Sequence, residues 1–259
     1  MNEPLPISSR SNPLVQRIRR LAQDAGAYRR LGQVWLEGEH LCGAARARGR
    51  AVLQAVVDEV GWADAALREL AGWAPRVAIV PPAIFASFSA LESPARIGFV
   101  IDAPGAASLE PGLASVVLDR VQDPGNVGSI LRSAAAFGVP QVLSLAGTAA
   151  LWSPKVLRAG MGAHFALRLV EGLGEGGLAA LGVPLVATSS HAAVSLADAE
   201  LPRPCAWVLG HEGQGVSPGL LARCAQVLRI PQPGGEESLN VAAAAAVCLY
   251  EASRRAGRA

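Results

Sequence analysis

Asp123-Pro124-Gly125-Asn126-Val127-Gly128-Ser129-Ile130-Leu131-Arg132-Ser133-Ala134 sets an asparagine, two glycines and an arginine around the start of a helix. The run before it, Ser115 to Val121, alternates with β-branched residues and ends in the turn signal Gln122-Asp123-Pro124-Gly125. After it, Ile130, Leu131, Ala134, Ala135 and Phe137 recur at helical spacing. The local order is strand, tight loop, helix. Asn126 is the expected N-cap and Gly138 the expected stop, so the unpaired N–H groups of the first turn face the loop. Such a mouth collects phosphate or ribose oxygens, and Arg132, about one and a half turns in, is expected to reach the same place.

Moving outward, the C-terminal part repeats this pattern. Strands are expected at Ser115–Val121, Gln141–Leu145, Phe165–Val170, Pro184–Thr188, Cys205–Leu209 and Val227–Ile230, alternating with helical segments. Near-continuous apolar strands separated by helices predict a parallel sheet covered on both faces. Ligands of such sheets bind beyond the carboxyl ends of the strands, which directs attention to Asn126, Thr188, Gly210 and Ile230. The N-terminal part reads as a small α/β sandwich: helix 12–23, strand 33–37, helix 39–48, strand 51–57, helix 63–71, strand 76–80, a short helix, and a strand at 97–101. The small and turn residues of 102–112 form the expected linker, giving domains at 1–101 and 113–259.

Composition bounds the function. The chain has 259 residues, 51% hydrophobic and 17% charged, enough for a sizeable core. No apolar run approaches the roughly 20 residues of a membrane span, and the first residues lack a signal-peptide centre, so a cytoplasmic location is expected. Cys42, Cys205, Cys224 and Cys248 form no C-x-x-C pair, and no metal is expected. The net charge of +2 conceals an asymmetry: residues 1–50 hold nine arginines against Glu3, Asp24, Glu37 and Glu39, while the rest of the chain is net acidic. That is the footprint of a nucleic-acid or other polyanion contact, and arginine suits bidentate phosphate recognition.

Three other patterns invite chemistry and fail. Gly172-Leu-Gly-Glu-Gly-Gly177 matches the dinucleotide fingerprint, but only Leu178 to Leu181 is left for a helix before the next strand. Gly215-Val-Ser217-Pro-Gly219 matches a nucleophile elbow, yet Pro218 has no N–H for an oxyanion hole, and Ser217 reads as an N-cap. His211-Glu212 lacks the second histidine of a zinc protease. His40, His164 and His191 stand alone.

Two further loops follow strands. Gly210-His-Glu-Gly-Gln-Gly215 has glycines that permit close backbone approach and one charge, Glu212. Pro231-Gln-Pro-Gly-Gly-Glu-Glu-Ser-Leu-Asn240 opens an Ala-rich helix, Val241 to Arg255, with Ser238 as the expected N-cap. Spacing alone stops at an anion or nucleotide site built from three loops.

The ordered set N-x-G-x-x-x-R (Asn126, Gly128, Arg132), L-G-x-E-G-x-G (Leu209, Gly210, Glu212, Gly213, Gly215) and I-P-x-x-G-x-x-x-S-L-N (Ile230, Pro231, Gly234, Ser238, Leu239, Asn240) resembles the SpoU/TrmH family of RNA ribose 2′-O-methyltransferases. Ile7-Ser-Ser-Arg-Ser-Asn-Pro13 and Trp35-Leu-Glu-Gly-Glu39 look like the start of the substrate-binding domain in the family's rRNA-directed branch, a domain similar to small RNA-binding ribosomal proteins. The resemblance implies a SPOUT fold with a deep trefoil knot, a homodimer, and S-adenosylmethionine held bent in the knot. Carried onto this chain, Gly210, Ile230, Leu239 and Thr188 hold the cofactor. Arg132, Asn126, Ser238, Asn240 and Glu212 form the catalytic set, with Glu212 either favouring the sulfonium charge or tethering Arg132. Arg10, Arg17, Arg29 and Arg30 are the expected RNA contacts. The family's reaction is in-line attack of a ribose 2′-oxygen on a methyl carbon, in rRNA by preference and in tRNA as the alternative. Gln232 stands where methionine is frequent, and His211 where asparagine or serine is common. Outside this class remain a non-catalytic RNA-binding protein on the same scaffold and, more distantly, a nicotinamide-dependent oxidoreductase.

Overall fold

The computed structural model describes residues 3–234 and 238–256. The chain divides into two units, residues 1–105 with 152–165 and residues 106–151 with 166–259.

The first 105 residues supply β1 (Leu5–Pro6), α1 (Pro13–Gln23), α2 (Ala27–Leu31), β2 (Gln33–Glu37), α3 (Glu39–Ala47), β3 (Gln54–Asp58), α4 (Glu59–Ala63), α5 (Ala65–Ala71), β4 (Val77–Val80), α6 (Pro82–Phe88) and β5 (Ile97–Asp102). Their sheet runs β1-β4-β3-β5-β2, parallel at β1–β4 and β4–β3, antiparallel at β3–β5 and β5–β2. α1 forms because Val15, Ile18, Leu21 and Ala22 share one buried stripe and Asn12 caps Leu14 N–H at 2.9 Å. The helix expected over 63–71 is α5, starting at Ala65, and a further short helix, α4, precedes it. Asp64 sits in extended backbone and its carboxylate accepts from the N–H groups of Ala66 and Leu67, which restarts the helix one residue after α4 stops. α2, five residues ending at Gly32 in the left-handed region, is too short for periodicity to signal. The core is aromatic: Trp35 meets Phe88 edge-on at 5.7 Å, and Phe85 lies 4.8 Å from Phe88. Gly98 is required there, since a Cβ would fall 2.2 Å from the Trp35 ring.

The second unit begins with β6 (Ser115–Leu118), α7 (Pro124–Ala136) and β7 (Gln141–Leu145). The next helix, α8 (Pro154–Gly160), lies in the stretch that belongs to the first unit. Then follow β8 (Arg168–Leu173), β9 (Leu185–Thr188), β10 (Val194–Ser195), β11 (Ala206–Leu209), α9 (Pro218–Leu221), β12 (Gln226–Arg229) and α10 (Val241–Ala256). These strands make a seven-stranded sheet ordered β10-β12-β9-β11-β6-β7-β8, with every pair parallel. All residues of β6, β7 and β11 are buried, as a doubly covered sheet requires. The strand expected from Phe165 starts instead at Arg168. Ala163–Ala166 is a 3-10 turn in which Phe165 packs 6.2 Å from the Trp152 ring. Between β8 and β9 lies only the 3-10 stretch Glu175–Leu181, so no dinucleotide-fold helix follows Gly172. Among the described residues, no helix is long and apolar enough to cross a membrane.

Candidate active site at the carboxyl ends of the parallel strands

The second unit's sheet places β12, β9, β11 and β6 side by side and parallel, so the residues that follow them emerge along one edge. Ile230, Thr188, Gly210 and Asp119 are those residues. Thr188 pairs with Leu228, Ser189 N–H donates to the Leu228 carbonyl at 3.0 Å, and Asp119 N–H donates to the Leu209 carbonyl at 2.8 Å. The three strand-end positions expected to hold a cofactor therefore lie on neighbouring strands.

α7 begins at Pro124, and its N-cap is Asp123, whose carboxylate accepts from Asn126 N–H at 2.8 Å. This corrects the expectation that Asn126 caps the helix. Asn126 lies inside the first turn, and capping by Asp123 leaves its carboxamide free for longer-range contacts. Gly125 is demanded by the same geometry, because a Cβ would lie 2.9 Å from the Asp123 carboxylate. Asn126 Nδ2 donates to Glu212 Oε1 at 3.0 Å, and Asn126 Oδ1 accepts from Asn240 Nδ2 at 2.9 Å. Asn240 Oδ1 in turn accepts from Ala242 N–H at 2.9 Å and Ala243 N–H at 3.2 Å, so Asn240 caps α10. Ser238, expected in that place, is two residues too early and is exposed. One chain of hydrogen bonds thus joins all three sequence motifs.

Glu212 is the electrostatic centre of this chain. Its carboxylate also accepts from the N–H groups of Gln122 at 3.2 Å and Asp123 at 3.0 Å. Partial burial opposes its charge, but hydrogen bonds from Asn126, Asp123 and Gln122 outweigh that and hold its pKa at about 2. The carboxylate is therefore committed to the loop before α7 and does not tether Arg132.

The loop carrying Glu212 is closed on itself. His211 and Gly215 exchange backbone hydrogen bonds at 3.0 and 2.8 Å, and His211 Nδ1 accepts from Gly213 and Gln214 N–H at 3.0 and 3.2 Å. The imidazole nitrogen performs the acceptor role that a short oxygen-bearing side chain performs in such turns, which accounts for histidine at this position. Gly210 cannot be replaced without moving the loop: a Cβ there would lie 2.2 Å from Gly215 and Val216 backbone atoms.

Two residues that sequence reasoning missed latch this loop to β6. Asp119, 2% exposed, accepts from Ser217 N–H at 2.7 Å and from Arg120 Nε at 3.1 Å. Arg120 Nη1 donates to Gln214 Oε1 at 3.0 Å. Arg120 has φ 57°, a left-handed conformation that costs a non-glycine residue about 1–2 kcal/mol. The strain is held by the contacts of its side chain. The sequence places Asp119 and Arg120 inside the strand expected over 115–121, but the strand ends at Leu118, and nothing local marks the two residues as a latch.

Arg132 is exposed and makes no hydrogen bond or ion pair to any described residue. Six residues beyond Asn126, it lies about 9 Å further along the helix and about 120° around it. The structure does not bring it into the Asn126 network; its guanidinium is presented to solvent. Leu239 is 41% exposed, and residues 235–237 of its loop lie outside the described residues. Among the described residues, no group of three or more His, Cys, Asp or Glu side chains is placed to hold a metal ion. Of the expected RNA contacts, Arg10, Arg17, Arg29 and Arg30 are all exposed. Arg30 pairs with Asp24, Arg29 lies over the Tyr28 ring at 5.1 Å, and Arg17 touches Gln33 at 3.4 Å.

Comparison with known proteins gives one family. The family model described as "SpoU rRNA Methylase family" matches residues 114–250. An uncharacterised tRNA/rRNA methyltransferase from Synechocystis sp. is 33% identical over 263 residues, covering 96% of this chain and 93% of that one. A 23S rRNA (uridine(2479)-2′-O)-methyltransferase from Streptomyces viridochromogenes is 30% identical over 210 residues, 73% of each chain. Among solved structures, the SpoU methyltransferase AviRb from Streptomyces viridochromogenes in complex with AdoMet superposes with a TM-score of 0.85 at 26% identity, covering 95% of this chain and 98% of that one.

Proposed function

The chain belongs to the SpoU rRNA methylase family, and on that premise we propose that it transfers the methyl group of S-adenosylmethionine to a ribose 2′-hydroxyl of structured RNA, with large-subunit rRNA as the target. The observation that carries this reading is the Asn240–Asn126–Glu212 chain, which draws residues 86 and 114 positions apart into one site beside the strand ends. A solvated surface has no need of such a chain; a preorganised site does.

The residues fit the cofactor. Gln232 Oε1, in the loop after Ile230, is shielded from solvent and has no hydrogen-bond partner among the described residues. Such an atom costs about 1–3 kcal/mol unless a donor meets it, and an amino group of S-adenosylmethionine supplies one. Thr188, Gly210, Ile230 and Leu239 would hold the group by backbone and side-chain contacts at the strand ends. When bound, the cofactor supplies an electrophilic methyl carbon on a sulfonium centre.

The protein's own part is positioning. A guanidinium keeps its proton in proteins, so Arg132 is not a base. It grips the phosphate next to the reacting ribose, and its field lowers the 2′-hydroxyl pKa while solvent or a neighbouring group takes the proton. Asn126 spends both ends of its carboxamide on Glu212 and Asn240, which makes it a positioning residue. Ser238 and Asn240 complete the polar wall.

The finer reading follows the family. Residues 1–101 form the RNA substrate-binding domain, residues 102–112 a linker and residues 113–259 the methyltransferase domain. The arginines of α1 and α2 support RNA binding by the first of these. The return of the chain from β12 through the 231–240 loop into α10, packed on α7, supports the deep trefoil knot. Val247 and Tyr250, 39% and 56% exposed on α10 with Phe137 5.9 Å from the Tyr250 ring, support a homodimer through that helix. A cytoplasmic location follows from an rRNA target. rRNA is favoured over tRNA by the Streptomyces relative, which aligns over nearly three quarters of this chain.

The test is transfer of labelled methyl from S-adenosylmethionine to ribosomal subunits and to tRNA, with ribose positions mapped. Arg132→Ala should lower the single-turnover rate by roughly 1000-fold while calorimetry shows cofactor affinity unchanged, the loss expected for a group that stabilises developing charge. A methyl group found on a base, or a chain that binds no S-adenosylmethionine, would refute the reading.

A further inference from the structure

The nine arginines of residues 1–50 fall into two groups in the fold. Six lie in or beside α1 and α2. The other three, Arg46, Arg48 and Arg50, lie at the end of α3 and in the turn after it, and all three are exposed. Arg46 by its guanidinium and Arg50 by its carbonyl touch an unusual residue, the Arg50 guanidinium lying over the Phe165 ring. Trp73, in the turn after α5, is 46% exposed, whereas Trp35 and Trp207 are 3% and 2% exposed in the cores of their units.

The indole is fixed in place. Its Nε1–H donates to the Arg50 carbonyl at 3.4 Å, and the Arg46 guanidinium carbon lies 5.9 Å from the ring centroid. Arg46 also pairs with Glu69 at 3.0 Å, so that carboxylate is already neutralised. Arg76, three residues beyond the tryptophan, is exposed, and its own carbonyl is anchored by Ala55 N–H at 2.9 Å. Arg46 and Glu69 also line an open groove of about 920 Å³ between α3 and α5, together with the small residues Gly43, Ala44, Ala47 and Ala66.

We propose that Trp73 is a stacking platform for an unpaired nucleobase of the RNA substrate, with Arg48, Arg50 and Arg76 taking the flanking phosphates. This rests on the RNA-directed function proposed above. A tethered aromatic face with exposed arginines on the segments that hold it, and one carboxylate beside it neutralised, is the combination that binds single-stranded nucleic acid: the ring stacks on any base, and the cations follow the backbone.

Binding is read by fluorescence anisotropy of the full chain on a labelled mixed-sequence oligoribonucleotide of about 12 nucleotides, long enough for such a site. Trp73→Phe keeps an aromatic face and Trp73→Leu keeps apolar bulk without one. Trp73→Phe should bind within about threefold of the wild type, and Trp73→Leu should bind roughly 5- to 150-fold more weakly, the range expected for loss of one base–aromatic stack. Arg48→Ala with Arg50→Ala should weaken binding and flatten its salt dependence. Equal binding by all three Trp73 forms, or equal weakening of the Phe and Leu forms, would overturn the proposal. So would concentration-dependent self-association that the Leu form loses while RNA binding is untouched, which would assign the ring to a protein interface. A wild type that binds S-adenosylmethionine and methylates RNA while the Trp73 forms bind alike sinks the platform alone; a wild type that binds no RNA sinks the proposed function with it.

Discussion

Polar side chains in the two units are used in opposite ways. In the second unit, Asn126, Glu212 and Asn240 are hydrogen-bonded to one another across 86 and 114 residues of sequence, and Asp119, Arg120 and Gln214 latch the same loop across more than 90. In the first unit, Arg17, Arg20, Arg29 and Arg30 are exposed, with Arg30 paired to Asp24 six residues away, and only the half-buried Arg19 of α1 reaches as far as Ser87. A reaction centre gains from groups held in one geometry before the substrate arrives, because reorganisation at the moment of reaction raises the barrier. A polyanion contact gains from charge that remains mobile and solvated until counterions are displaced. On the function proposed above, the difference separates a unit that fixes geometry from one that supplies field.

The sharpest way to break that contrast is Glu212→Ala, which leaves two backbone N–H groups and the Asn126 carboxamide without their charged acceptor. Hydrogen bonds to charged groups are worth about 1.5–3 kcal/mol, so methyl transfer should fall roughly 10- to 150-fold with the far-ultraviolet spectrum unchanged. A loss under threefold would mean that the three motifs need not be held together. Charge reversal in the other unit should act differently. Arg10→Glu with Arg17→Glu should weaken RNA binding about tenfold at low salt and reduce the slope of log K against log salt by at least about 1.4, leaving cofactor affinity intact. An unchanged slope would show that these arginines do not meet phosphate.

Smaller effects sharpen the contrast. Arg120→Gly relieves a left-handed residue and removes the bridge to Gln214, so thermal stability should stay within about 1 kcal/mol while S-adenosylmethionine binds several-fold more weakly by calorimetry. If affinity tracks stability instead, the latch is merely structural. Acid unfolding should separate the units least. Glu212, whose pKa is lowered from 4.5 to about 2, contributes stability that is present above pH 4.5 and lost as the pH falls towards 2. Glu251, held at about 2 by hydrogen bonds from Arg254 and Arg255, follows the same sign. Glu212→Gln should therefore flatten the dependence of the urea midpoint on pH between 4.5 and 2.5.

Much of this was legible before the fold was known, and the reasons are physical. Apolar strands of four to six residues with turn residues at their ends marked the parallel sheet, and strands 33–37 and 141–145 match residue for residue. Val194–Ser195 carries no signal because two residues cannot alternate. The caps misread were those where two acceptors compete within three residues: Asp123 with Asn126, and Asn240 with Ser238. Which one caps depends on where the other side chain is needed, and that is settled by a contact from elsewhere in the chain. Asp119 and Arg120 were illegible for the same reason, since their partners lie in a loop more than 90 residues away.

Residues 152–165 carry a practical consequence for dissecting the protein. They follow β7 and precede β8, yet they are counted with the first 105 residues, and Leu157, Val156 and Phe165 are buried there. Cutting the gene at the linker would therefore not yield two independent pieces: the C-terminal fragment would carry the apolar face of α8 and of the turn after it without its cover. Such a fragment should be prone to aggregate in expression trials, and co-expressing residues 1–105 in trans should rescue its solubility.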